Sequence, residues 1–146
     1  MPPRLRTDLV DVYVVRIDGP SRSAAFLQLH RCGGSLAGTW QPVMGHIEAG
    51  ETALRAASRE LAEETGLQID LADLTALEQV YPFFLPETDE VVLSPRFWVV
   101  VPEGWEPVLN AEHDGARWVS AIDADRRFMW TGQRACCRDI LHALSD

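Results

Sequence analysis

At 146 residues, 47% of them apolar and 24% charged, the chain is long enough for one real core and too short for two ordinary domains. Its formal net charge of −9 argues against a general binder of nucleic-acid polymers, which needs a basic surface to neutralise phosphates. No apolar run approaches the roughly 20 residues that span a bilayer, and Met1-Pro2-Pro3-Arg4 lacks an apolar signal core. Cys32, Cys136 and Cys137 are odd in number and include an adjacent pair, which is no disulfide framework. Reduced thiols in a cytoplasmic protein, with no membrane partner, are the expectation.

In chain order, residues 9–17 are Val-rich and read as a strand, broken by Asp18-Gly19-Pro20-Ser21. Residues 25–30 alternate by two and read as a second strand, so residues 18–23 suit a hairpin. Residues 31–38 form a glycine-rich loop, and 40–44 a short extended piece that Pro42 keeps from a central sheet position. Gly45 and Gly50 then allow turns with positive φ. Residues 53–64 hold no Pro or Gly and are rich in helix formers. Thr52 is placed to cap this helix and Gly66 to end it. Beyond it, residues 68–77 read as a link or short strand, 78–84 as a strand despite Pro82, and 86–90 as an acidic turn. Residues 91–101 read as a strand interrupted by Pro95, 102–115 as loop, and 117–120 as a short strand. A last helix is expected from Gly132 to Leu144, burying Cys136, Ile140, Ala143 and Leu144. Strands around one central helix, with a second helix at the end, predict an α/β domain with a mixed sheet between helical layers.

The chemistry is concentrated on the first helix. Glu60, Glu63 and Glu64 stand at i, i+3 and i+4, with β-carbons roughly 5–6 Å apart. Three like charges that close need compensation from Mg²⁺ or Mn²⁺, from a raised pKa, or from solvation as an ordinary acidic face. Leu54, Ala57 and Leu61 form an adjacent apolar stripe that pins the helix to a core. Ala53 and Ala56 leave room beside the carboxylates for a ligand or a close-packed loop.

Taken together, Gly45, five residues, Glu51, seven residues, and Arg59-Glu60-Leu61-Ala62-Glu63-Glu64-Thr65-Gly66-Leu67 resemble the Nudix box at every defined position. The resemblance to Nudix hydrolases implies an α/β/α sandwich over residues 1–146 and Mg²⁺ or Mn²⁺ held by Glu60, Glu63 and Glu64. It implies a ligand in the backbone carbonyl of Met44, and an Arg59 that orients the carboxylates through Glu51. Glu112-His113 ahead of Arg117-Trp118 resembles a downstream acidic loop of the family, with Glu106 and Asp114 as competitors for Glu112. The general base is Glu60 or Glu112. Trp40-Gln41-Pro42-Val43-Met44-Gly45 and Trp130-Thr131-Gly132-Gln133-Arg134 resemble the dihydroneopterin triphosphate and dATP pyrophosphohydrolase branch.

Arg31 suits phosphate oxygens as a planar guanidinium, or stands as an exposed loop arginine. Trp40, Tyr81, Phe83, Phe84 and Trp130 stack on a base or pterin ring, or pack in the core. His30, His46 and His113 form no transition-metal constellation at their spacing. The expected activity is metal-dependent hydrolysis of a phosphoanhydride in a nucleoside triphosphate or related X-linked diphosphate, a small-molecule partner. Dinucleoside polyphosphates and nucleotide sugars are the alternative substrates. A non-catalytic nucleotide-binding module is the alternative class, and such relatives lose box carboxylates that this chain keeps. A homodimer is left open.

Overall fold

A computed structural model describes residues 1–145. In chain order the elements are β1 (Arg4–Arg6), β2 (Leu9–Asp18), β3 (Ser23–Arg31), β4 (Trp40–Gln41), β5 (Val43–His46) and α1 (Ala53–Thr65). A single 3-10 turn at Leu71–Asp73 leads to β6 (Thr75–Ala76), β7 (Phe83–Leu85), β8 (Glu90–Val92), β9 (Arg96–Val101) and β10 (His113–Ser120). The chain ends in α2 (Ala121–Arg127) and α3 (Thr131–Leu144).

The main sheet runs β10-β3-β2-β9-β6, with β4 against β3 and β5 against β2. Among the described residues of this sheet only β2 and β9 pair in parallel, so it is mixed. A smaller sheet orders β1-β8-β7. Side chains alternate across a strand, and β2 uses both faces. Val10, Val12 and Val14 join Ala56, Ala57 and Leu61 of α1 in one buried cluster. Tyr13 and Val15 join Ala124 of α2 with Cys136, Cys137 and Ile140 of α3 in the other. The expected α/β/α layering follows from this alternation, with three helices sandwiching mixed strands. Among the described residues no helix is long and apolar enough to cross a membrane.

Several segments differ from the sequence reading. In place of the strand expected over 78–84 stands the short β7, which begins just after Pro82, a residue with no N–H to pair. Pro95 divides the strand expected over 91–101 more deeply than an interruption, leaving β8 in the small sheet and β9 in the large one. The strand expected at 117–120 starts four residues earlier, because β10 pairs with β3 from Ser120↔Ala25 down to His113↔Arg31. Helix α2 was not anticipated, although Ser120 caps it by accepting from the Asp123 N–H at 3.2 Å. Ala143 is exposed, and Cys137 takes the buried place expected for it. All three cysteines are free thiols, two of them buried in α3.

Candidate active site

The loop before α1 and the helix itself are joined by one side chain. Thr52 caps α1 by accepting from the Arg55 N–H at 3.2 Å, and Gly66 closes it at φ 77°. In the second turn of the helix, Arg59 donates to both oxygens of Glu51 at 2.8 and 2.9 Å. It also donates to the His46 carbonyl at 2.8 Å and to Glu60 at 2.8 Å, with Glu63 at 3.4 Å. This planar fork fixes the loop to the helix and sets the directions of two carboxylates at once. Its guanidinium holds the Glu51 carboxyl down to about 2.

Gly45 is required for a reason other than the one its sequence context suggests. Gly50 does adopt positive φ, at 80°, but Gly45 is an ordinary strand residue of β5. A Cβ built on Gly45 would stand 2.1 Å from Cδ of Glu60. The missing side chain is therefore space for a carboxylate.

Glu64 is buried, and so is the His113 side chain beside it. His113 Nε2 lies 3.3 Å from Glu64 Oε1, yet neither that nitrogen nor either Glu64 oxygen has a hydrogen-bond partner. Burial first, and the adjacent Glu60 second, push the Glu64 carboxyl far above the usual carboxylate range. Burial, then the charge of Arg31, pulls His113 down and favours its neutral, ligating form. Glu112 is exposed, and its carboxylate comes to within 4.8 Å of the ligand atoms of Glu64 and His113. Buried polar atoms ordinarily find partners, so three orphans facing further carboxylates suit a divalent cation. The oxygen-rich donor set suits Mg²⁺ or Mn²⁺.

The register decides which downstream acid reaches this cluster. Asp114 is engaged by His30 Nδ1 at 2.5 Å, and Glu106 accepts from Trp118 Nε1 at 3.4 Å. The side chain of Glu112 is the one that joins Glu64 and His113. Arg31 sits opposite His113 in the β3/β10 ladder, and its buried Nε has no partner. His113 itself was set aside in the sequence as part of no constellation. The signal for it is its place next to Glu112 at the start of a strand, which shows only because β10 begins at His113 rather than at Arg117.

The aromatic candidates divide into two places. Met44, Phe84 and Trp130 line one cavity of about 250 Å³, together with Phe83, whose ring stacks on Trp130 at 6.3 Å. Trp40 lies elsewhere, against His30 at 4.9 Å and beneath the Arg117 guanidinium at 4.2 Å. Met44 spans the gap between cavity and carboxylates, because the next residue is the Gly45 that makes room for Glu60.

The NUDIX domain model matches residues 7–139. The chain is 38% identical over 135 residues to a Myxococcus xanthus protein named octanoyltransferase, covering 91% of this chain and 36% of that one. It is 34% identical over 91 residues to the asymmetrical bis(5'-nucleosyl)-tetraphosphatase of Sus scrofa, covering 58% of each. The chain thus spans less than two thirds of the length of these curated relatives. A binary complex of Caenorhabditis elegans Ap4A hydrolase superposes with a TM-score of 0.76 at 20% identity, covering 96% of this chain and 98% of that one. At that identity the likeness is one of fold.

Proposed function

This chain belongs to the NUDIX domain family, and on that footing we propose that it is a metal-dependent hydrolase of a phosphoanhydride bond in a nucleotide substrate. The observation that carries the reading is the buried, unpartnered Glu64–His113 pair facing Glu60 and Glu112. Such a cluster is costly to bury without a cation.

Glu60, Glu63, Glu64 and Glu112, with the Met44 carbonyl, are the residues that would hold the metal, and His113 Nε2 stands with them. A bound Mg²⁺ or Mn²⁺ supplies Lewis acidity toward phosphoryl oxygens and a more acidic water. The protein's own part is positional. Arg59 keeps Glu60 and Glu63 converged through its bonds to Glu51 and the His46 carbonyl. Glu60 or Glu112 takes the proton as water attacks one phosphorus and the anhydride P–O bond breaks. Arg31 offers a guanidinium to the phosphate oxygens, and Phe84 and Trp130 offer rings to the organic group.

Among finer readings, the name of the pig protein favours a dinucleoside polyphosphate over dihydroneopterin triphosphate or dATP. The test is product analysis with Mg²⁺ across dinucleoside polyphosphates, nucleoside triphosphates, dihydroneopterin triphosphate and nucleotide sugars. Turnover of at least one class that stops with EDTA is expected, with dinucleoside polyphosphates fastest. Tight nucleotide binding without turnover of any class would instead make the chain a binding module. Undiminished turnover in EDTA would remove the metal from the reaction.

A further inference from the structure

The cavity beside Met44 has a polar floor that the hydrolytic reading does not use. Asp11 of β2 and Arg96 of β9 are direct partners in the parallel ladder, and both line the cavity. They are nearly inaccessible, at 3% and 4% exposure, and Arg96 Nε donates to Asp11 Oδ2 at 2.9 Å. That same oxygen accepts from the Tyr13 hydroxyl at 3.4 Å. Burying such a pair is costly, and an apolar pair would fill the space as well.

The pair is also incompletely used. Among the described residues, Asp11 Oδ1 accepts no hydrogen bond and Arg96 Nη2 donates none. Neither atom is among the sealed, unpartnered ones, and both residues line the cavity. Gly132 keeps the guanidinium's space clear, since a Cβ there would stand 3.3 Å from Nη1 and 3.5 Å from Nη2. Above this floor stand Tyr81, Phe83, Phe84 and Trp130. A free acceptor and a free donor on two paired residues of one cavity wall, with aromatic rings lining the rest, match one edge of a heteroaromatic ring. The volume of about 250 Å³ suits a single fused ring system.

We propose that Asp11 and Arg96 read the edge of a purine base seated in this cavity, Asp11 accepting from a base N–H and Arg96 donating to the neighbouring acceptor. This makes them specificity-determining residues for the nucleotide substrate proposed above, on which reading the inference rests. Adenine meets the pair with its 6-amino group and an adjacent ring nitrogen. Purine riboside keeps the ring nitrogens and lacks the amino donor. A site with a buried acceptor discriminates against the analogue that leaves it unpaired.

The experiment is calorimetric titration of the intact chain, in Mg²⁺, with adenosine 5'-monophosphate and purine riboside 5'-monophosphate. Neither ligand has an anhydride bond, so binding is read without turnover. Adenosine monophosphate should bind about tenfold more tightly, the equivalent of one net hydrogen bond. Asp11→Asn then assigns the effect. Arg96 Nε–H and the Tyr13 hydroxyl claim the amide oxygen, which leaves the amide NH₂ in the place of Oδ1, a donor facing a donor. The preference should vanish or reverse in that variant, with thermal melting confirming that it folds. Should it fail to fold, Trp130→Ala replaces it, and both affinities should fall with their ratio retained. Equal affinities in the wild type, no binding of either ligand, or an undiminished preference in folded Asp11→Asn overturns the inference. So does a ratio that collapses to one in Trp130→Ala. Hydrolysis with equal affinities would sink this inference and leave the proposed function standing. Discrimination without hydrolysis of any anhydride would do the reverse.

Discussion

Replacing Glu64 by Gln removes one ionisable carboxyl and keeps its shape. In the metal-free chain, burial and the neighbouring Glu60 hold the Glu64 pKa far above its ordinary value of 4.5. The folded state thus keeps a proton that the unfolded chain releases. A folded-state pKa that is raised gives stability that is full below the unfolded pKa and declines as pH rises toward the folded one. Over about pH 5 to 8 the decline is ~1.4 kcal/mol per pH unit for one proton. For a chain of this length that is about 3–6 °C of melting temperature per pH unit. Glu64→Gln has no such proton, so in EDTA its melting curve should fall less steeply with pH than the wild type's. Added Mg²⁺ should then separate the two in the other direction. A cation at 100 times its Kd stabilises the wild type by about 2.7 kcal/mol, or roughly 5–11 °C, and the variant by much less. The assay is a melting series in EDTA and in Mg²⁺, paired with turnover, which should collapse in the variant. Parallel pH slopes in EDTA together with equal Mg²⁺ shifts would refute the reasoning, and make Glu64 a structural acid.

Leu61, fully buried under β2, should lose about 2–5 kcal/mol of stability as Leu61→Ala, measured by urea unfolding, while the folded fraction keeps its turnover. Gly45→Ala should depress kcat more than tenfold and cost about 1–3 kcal/mol, because its Cβ meets the Glu60 carboxylate; a fully active variant of unchanged melting would disprove the close approach. Glu112→Gln should lower kcat on the order of 10²–10⁴-fold with little change in KM if the residue is the base. Partial recovery at high Mg²⁺ would mark it as a ligand only, and Asp114→Asn and Glu106→Gln serve as controls because their carboxylates are engaged by His30 and Trp118.

Helix α1 was legible in the sequence because its determinants are local. The Thr52 cap, the Gly66 stop and the i, i+3, i+4 carboxylates all lie within one short stretch, and the structure keeps the helix within a residue of its expected ends. What the sequence hid depends on register between distant segments. The meeting of His113 with Glu64 requires β10 to begin opposite Arg31, and residues 102–115 give no local sign of that. The Asp11–Arg96 pair joins positions 85 residues apart and exists only because β2 and β9 run parallel in that register. A single Asp in a Val-rich strand was the available sign. It stayed silent because an acid in a strand is usually turned to solvent, and only the α2/α3 layer shows that this one is not. The purpose of Gly45 was hidden likewise, since a glycine does not announce whether it supplies a dihedral angle or a vacancy.

The alternation along β2 has a consequence for how such a chain can change. Val10, Val12 and Val14 are committed to the layer that carries the carboxylate helix, while Asp11 opens on the cavity from the opposite face. Adjacent positions, about 3.3 Å apart along the chain, therefore answer to different selective demands. Substitution at position 11 alters the lining of the cavity while the seat of α1 stays where it is. A lineage drifting toward a new substrate, or a library built to find one, can vary position 11 together with its buried partner Arg96 and leave the two neighbouring valines alone.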